Sequence, residues 1–127
     1  MNAPKPLVII VDDDSQVRES IEGLLKSAEF STAKFSSAED VLLSGLLGEA
    51  KCLISDVRMQ GIQGIELQRR LHREYPHLPV IIITAHRDEH TRQNVLSDGA
   101  AFFFYKPFDP IEMLGAVQSA IRVREDD

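Results

Sequence analysis

The sequence has no tryptophan and only one cysteine, Cys52. A lone cysteine cannot close an internal disulfide, so the fold cannot rest on covalent cross-links. Cys52 sits inside an apolar run and reads as a small buried hydrophobe rather than a reactive thiol. Positive charge is in deficit: the formal net charge is −6. That balance argues against broad attraction to nucleic acid or anionic lipid, so no direct nucleic-acid binding is expected. No apolar stretch approaches the ~20 residues that span a bilayer. The first residues, Met1-Asn2-Ala3-Pro4-Lys5-Pro6, lack a signal-peptide core. The expectation is a cytoplasmic protein with no membrane contact. There is no internal repeat, low-complexity tract or linker. The four histidines, His72, His77, His86 and His90, have no zinc spacing with Cys52 and read as surface residues.

What the chain does have is four apolar runs, each ending in chemically loaded residues. Leu7 to Val11 ends in Asp12-Asp13-Asp14. Cys52-Leu53-Ile54 ends, through Ser55, in Asp56. Val80 to Ile83 ends in Thr84. Phe102 to Tyr105 ends in Lys106-Pro107. Continuous apolar runs of this length read as strands buried on both faces. Ser31 to Phe35 supplies a further, weaker strand, and the last strand is expected over 101–105.

Helices alternate with these runs. Val17, Ile21, Leu24, Leu25 and Ala28 fall on one face at helical spacing, behind an Asp14 or Ser15 cap. Ser36 and Glu39 resemble a capping box for a second helix, with Val41, Leu42, Leu46 and Leu47 inward. Leu67, Leu71 and Tyr75 mark a third helix, stopped before Pro76. A polar, weakly amphipathic fourth helix is expected over 88–97. A fifth, over 110–123, opens at Asp109-Pro110 with Ile111, Leu114, Val117 and Ile121 as its core stripe.

Five βα units in strict alternation predict an α/β fold: a doubly wound, five-stranded parallel sheet of flavodoxin-like type with five helices. The predicted strand order is 2-1-3-4-5. Its switch point lies between the carboxyl ends of strands 1 and 3, where open sheets of this kind bind ligands. With 127 residues, the chain is read as a single domain, 1–127, with no output domain visible.

Asp12, Asp13 and Asp56 would converge at that switch point. Crowded carboxylates repel one another, and a cation relieves the repulsion. Hard oxygen donors favour Mg²⁺, with Mn²⁺ as the alternative. Asp13 and Asp56 are the candidates for direct ligation, and Asp12 for holding a coordinated water. The plainer reading, that Asp12 to Asp14 only cap a helix, fits each acid alone. It does not explain why three other strands bring Asp56, Thr84 and Lys106 to the same edge. A carboxylate can attack phosphorus to form an aspartyl phosphate. Asp56 has hydroxyl and cationic partners on the neighbouring strands and is the candidate nucleophile. Lys106 can pair with a phosphoryl oxygen, and Thr84 can donate to another. Plain core packing is the ordinary role for Phe102, Phe103 and Phe104, but alternation sends neighbours to opposite faces.

Val11 to Asp14, Ser55 to Met59, Gly64, Ile83-Thr84-Ala85 and Lys106-Pro107-Phe108 resemble a response-regulator receiver domain, in order and across essentially the whole chain. Asp56 to Met59 and Thr84 to His86 are most similar to receivers of nitrogen-fixation-type transcriptional regulators. The resemblance implies that Asp56 takes a phosphoryl group from a sensor histidine kinase or a phosphotransfer protein. It implies an Mg²⁺ site made by Asp12, Asp13, Asp56 and the Arg58 backbone carbonyl, with Thr84 and Lys106 on the phosphoryl oxygens. It implies a Thr84–Phe103 switch acting on the fourth helix, fifth strand and fifth helix, and a cis Lys106-Pro107 bond. Arg58 and His86 occupy positions that tune phosphoryl lifetime. A phosphorylation-dependent homodimer through the helix 4–strand 5 face is expected. One departure is Gln60, where the family usually carries proline.

Such a chain is a signalling module that promotes only its own phosphotransfer and autodephosphorylation, not an enzyme. Two other classes of protein share parts of this pattern. An aspartate-nucleophile phosphohydrolase usually carries a second acid two residues beyond the nucleophile, but Arg58 stands there. A flavodoxin-like cofactor binder needs a hydroxyl- and glycine-rich loop after the first strand, where Asp12 to Asp14 would repel phosphate. A degenerate receiver that never takes phosphate is a third possibility, but all five site side chains are present.

Overall fold

The computed structural model describes residues 4–59 and 61–126, with side chains through Arg122. Gln60 lies outside the described residues, so the structure does not bear on that departure. Strands β1 (Leu7–Val11), β2 (Ser31–Phe35), β3 (Ala50–Asp56), β4 (Val80–Thr84) and β5 (Phe102–Tyr105) form one parallel sheet, in the order β2-β1-β3-β4-β5. Helices α1 (Ser15–Ser27), α2 (Ala38–Leu43), α3 (Gly64–Glu74), α4 (Glu89–Ser97) and α5 (Pro110–Asp126) make the crossovers. The predicted doubly wound order and alternation are what is observed. None of the described helices is long and apolar enough to cross a membrane.

Side-chain alternation splits the core into two slabs. Val8, Ile10, Cys52, Ile54, Ile81 and Ile83 face α1 and α5, where they meet Ile21, Leu25, Met113, Ala116, Val117, Ala120 and Ile121. Ile9, Val11, Leu53 and Ile82 face the other way, onto Ala38, Val41, Leu67, Leu71 and Val95. Fully burying an isoleucine or leucine stabilises by about 1.5–3 kcal/mol, so the three central strands hold the fold. Cys52 is buried, and burial pushes its thiol pKa up to about 12, as befits an inert packing residue.

Four local expectations need correction. The α2 cap is Ser37, whose Oγ accepts from Asp40 N–H at 3.2 Å; Glu39 instead reaches the β3–α3 loop. Leu46 and Leu47 lie beyond α2, which ends at Leu43 ahead of a turn at Gly45 with φ +75°. Tyr75 follows α3 and is exposed, and Ile111 is 81% exposed. The buried α5 stripe runs through Met113, Ala116, Val117, Ala120 and Ile121. Ile111 is two residues before Met113, about 200° around the helix from it.

Candidate functional site

The carboxyl ends of β1, β3, β4 and β5 lie along one edge, and the registers align their terminal residues. Val11 pairs with Ser55, Asp56 with Ile83, and Thr84 with Tyr105. Asp56 and Thr84 end β3 and β4, while Asp12-Asp13 and Lys106 directly follow β1 and β5, so the strands place all five. One carboxylate oxygen from each of Asp12, Asp13 and Asp56 lies within 4.8 Å of the others. Asp12 is fully buried, Asp56 nearly so, and Asp13 exposed. The cluster thus opens to solvent on the Asp13 side. Its donors are all hard oxygens, a set that fits Mg²⁺ or Mn²⁺ rather than a softer metal.

Lys106 closes the other side. Its Nζ donates to Asp12 Oδ2 at 2.8 Å and to Asp56 Oδ2 at 3.1 Å. Burial alone would lower the ammonium pKa. Hydrogen bonding and the charges of Asp12 and Asp56 together outweigh burial and hold it above its ordinary value. Asp56 shows the opposite balance. Burial first, then the Asp12 charge, raises its pKa, and Lys106 only partly offsets them. The direction follows from placing a carboxylate between one ammonium and other carboxylates in a poorly solvated pocket.

The backbone around these side chains is also fixed. Asp12 Oδ1 accepts from Asp14 N–H at 2.9 Å, and the Asp12 carbonyl accepts from Arg18 Nη1 at 2.6 Å. Asp14 alone of the three acids caps α1, accepting from Gln16 N–H at 2.9 Å. Helix capping therefore accounts for Asp14 and leaves Asp12 and Asp13 free of that duty. Thr84 is buried, and its Oγ1 accepts from His86 N–H at 3.1 Å. Arg58 N–H reaches Asp56 Oδ1 at 3.4 Å. The Arg58 and His86 side chains are both exposed beside the site. Gly64 lets α3 approach: a Cβ there would fall 2.0 Å from the Asp56 carbonyl oxygen. The Lys106–Pro107 bond is cis.

On β5, Phe103 pairs with Ile82, two residues before Tyr105, which pairs with Thr84. Phe103 is half-buried against the slab containing Val95 of α4. Its ring meets Tyr105 edge-on at 5.1 Å, and the Arg87 guanidinium stands 4.7 Å from the Tyr105 ring centre. Phe102 and Phe104 pack on the opposite face, as strand alternation requires. Sequence reasoning missed Arg18 and Gln63, and gave Glu39 a capping role in place of its contact with the β3–α3 loop. Each acts through main-chain atoms distant in sequence or around a loop, where no motif signals a role.

A doubly wound sheet with an acid trio and a lysine at its switch point is a site fitted to a divalent cation and a phosphoryl group. The chain belongs to the response regulator receiver domain family, which it matches over residues 8–118. Receiver domains bind Mg²⁺ at such an acidic cluster. The chain is 37% identical over 114 residues to the transcriptional regulatory protein FixJ of Azorhizobium caulinodans, covering 90% of this chain and 54% of that protein. It is 36% identical over 116 residues to nodulation protein W of Bradyrhizobium diazoefficiens, covering 91% of this chain and 51% of that one. The chain thus spans about half the length of these curated relatives. A response regulator receiver protein from Pseudomonas putida superposes with a TM-score of 0.84 at 30% identity, covering 93% of this chain and 99% of that one. A receiver domain from Clostridium thermocellum, 23% identical, shares the fold with a TM-score of 0.88, covering 94% and 97%.

Proposed function

We propose that residues 1–127 form one receiver module in which Asp56 accepts a phosphoryl group from a phosphohistidine of a sensor histidine kinase or a phosphotransfer protein. The observation that carries this reading is the meeting of Asp12, Asp13 and Asp56 within 4.8 Å, with Lys106 Nζ bridging Asp12 and Asp56. Asp12, Asp13, Asp56 and the Arg58 backbone carbonyl would hold Mg²⁺, with Mn²⁺ as a substitute. When bound, the ion neutralises charge on the phosphoryl oxygens.

An Asp56 carboxylate oxygen bonds to phosphorus as the phosphorus–nitrogen bond of the donor breaks, and the bonding pair returns to the imidazole. Lys106, already at hydrogen-bond distance from Asp56, pairs with a phosphoryl oxygen. Thr84 donates its hydroxyl to another, which its present use as an acceptor from His86 N–H leaves free to happen. Arg58 and His86 flank the acyl phosphate and set how readily water reaches it. The module turns over no other substrate.

The added charge biases an existing two-state equilibrium. Thr84 moves toward the phosphoryl group, and Phe103 enters the space it leaves. α4 follows easily, because Val95 is its one fully buried residue. The α4–β5 face then pairs two copies of the chain, in the cytoplasm and without direct contact to nucleic acid or membrane.

Incubation with acetyl phosphate, with and without Mg²⁺, tests the reading by intact mass. Wild type should gain one phosphoryl group only with Mg²⁺, and Asp56→Asn should gain none. Equal labelling of the two proteins would reject it.

A further inference from the structure

The segment after Asp56 is tied down at closely spaced points. Val57 N–H donates to the Ile83 carbonyl at 3.0 Å, and the Val57 carbonyl accepts from Gly64 N–H at 2.9 Å. Met59 is held by one side chain. Gln63 Oε1 accepts from Met59 N–H at 3.2 Å, while Gln63 Nε2 donates to the Met59 carbonyl. Ile62 N–H donates to Glu39 Oε2 at 3.3 Å. Gly61, at φ +78°, lies against the same carboxylate, where a Cβ would fall 2.0 Å from Oε2. Arg58 stands between two clamped neighbours. Its N–H turns to Asp56 Oδ1, and among the described residues no donor reaches its carbonyl.

Gln63 gives up a local bond to do this. It is the N-cap residue of α3 but makes no side-chain cap hydrogen bond. Asp14, Ser37 and Asp88, which cap α1, α2 and α4, all make theirs. Instead, both ends of the Gln63 amide engage the main chain of one residue. Two parallel bonds fix orientation as well as distance.

We propose that Gln63 is a positioning residue. By clasping the Met59 main chain it fixes the Arg58 main chain, and with it the carbonyl that would complete the cation site. This deepens the receiver reading and rests on it. Groups that orient a metal's ligands affect affinity without touching the ion, because they remove freedom the ligand would otherwise lose on binding.

Two substitutions separate positioning from general stability. Gln63→Asn keeps the amide but is one methylene too short to span the loop, and asparagine is a preferred N-cap. Gln63→Met keeps the length and removes both hydrogen bonds. In the metal-free protein, Met59 amide exchange should rise about tenfold in both variants as local opening becomes easier. Calorimetric titration with Mg²⁺ should show affinity about tenfold weaker, the low end of outer-shell losses. Gln63→Asn should melt no lower than wild type, so that affinity and stability move apart. Its phosphorylation by acetyl phosphate should slow at low Mg²⁺ and recover at saturating Mg²⁺. Unchanged Met59 exchange, or Mg²⁺ affinity equal to wild type in both variants, overturns the proposal while leaving the receiver reading intact. A wild-type protein that binds no Mg²⁺ overturns both.

Discussion

The middles of the central strands and their carboxyl ends obey opposite energetics. Ile9, Ile10, Leu53, Ile54, Ile81 and Ile82 are fully buried among apolar neighbours, and every such contact favours the fold. Two residues further along, Asp12, Asp56 and Thr84 are almost as buried, yet Asp12 and Asp56 bring like charges together. Burial and the Asp12 charge leave Asp56 less willing to ionise than a free aspartate. Nothing in the packing of the core requires that arrangement. The core supplies stability, and the edge uses some of it to hold acids in a cluster fitted to a cation.

The strongest way to sharpen the contrast is to damage the core. Ile82→Ala should cost about 2–5 kcal/mol in urea unfolding, because it opens a cavity between β4 and the helices over it. If the cost were under 1 kcal/mol (well below the usual ~2), the strand middles would not be the seat of stability. Lys106→Met comes next. It removes the ammonium that pairs with buried Asp12, and stranding a buried charge costs about 3 kcal/mol. Denaturation without metal should show that loss, and phosphorylation by acetyl phosphate should slow sharply.

Phe103→Ala should have a smaller effect on unfolding, about 2 kcal/mol, since the ring is only half-buried. Its larger consequence is functional: phosphorylation-dependent self-association, followed by analytical ultracentrifugation, should disappear. Association that survives would break the proposed link between Thr84, Phe103 and the α4–β5 face. The smallest stability changes belong to Arg58→Ala and His86→Ala, within about 0.5 kcal/mol for exposed side chains. Both should nevertheless alter phosphoaspartate lifetime, read from the decay of the phosphorylated mass. Unaltered decay in both would remove them from the site.

The legibility of the sequence divides along the same line. β1, β3 and β4 were readable because both faces are buried and the apolar runs are unbroken. Their order then brings Asp12, Asp13, Asp56, Thr84 and Lys106 to one edge. Local choices were harder. Ser36 and Ser37 are equally good caps in isolation, and it is Ser37 whose hydroxyl accepts from Asp40 N–H. Ile111 looks like core until the α5 stripe is phased on Met113. The bond from Ile62 to Glu39 crosses 23 residues and carries no pattern. The Gln63 clasp is close in sequence, but glutamine at a cap position signals nothing by itself.

Whether the acid cluster is held together against its own repulsion can be read from the unfolding free energies of metal-free wild type and Asp56→Asn between about pH 4 and pH 8. A carboxyl group whose folded pKa is raised contributes stability below its unfolded value, near 3.9. That contribution is lost as pH rises through the folded value. The two proteins should therefore be closest near pH 4, and by neutral pH Asp56→Asn should be the more stable by about 0.5–2 kcal/mol. Mg²⁺ should shrink the gap by stabilising wild type. An asparagine variant less stable than wild type at neutral pH without metal would contradict the claim that the acids are held together at the expense of the fold.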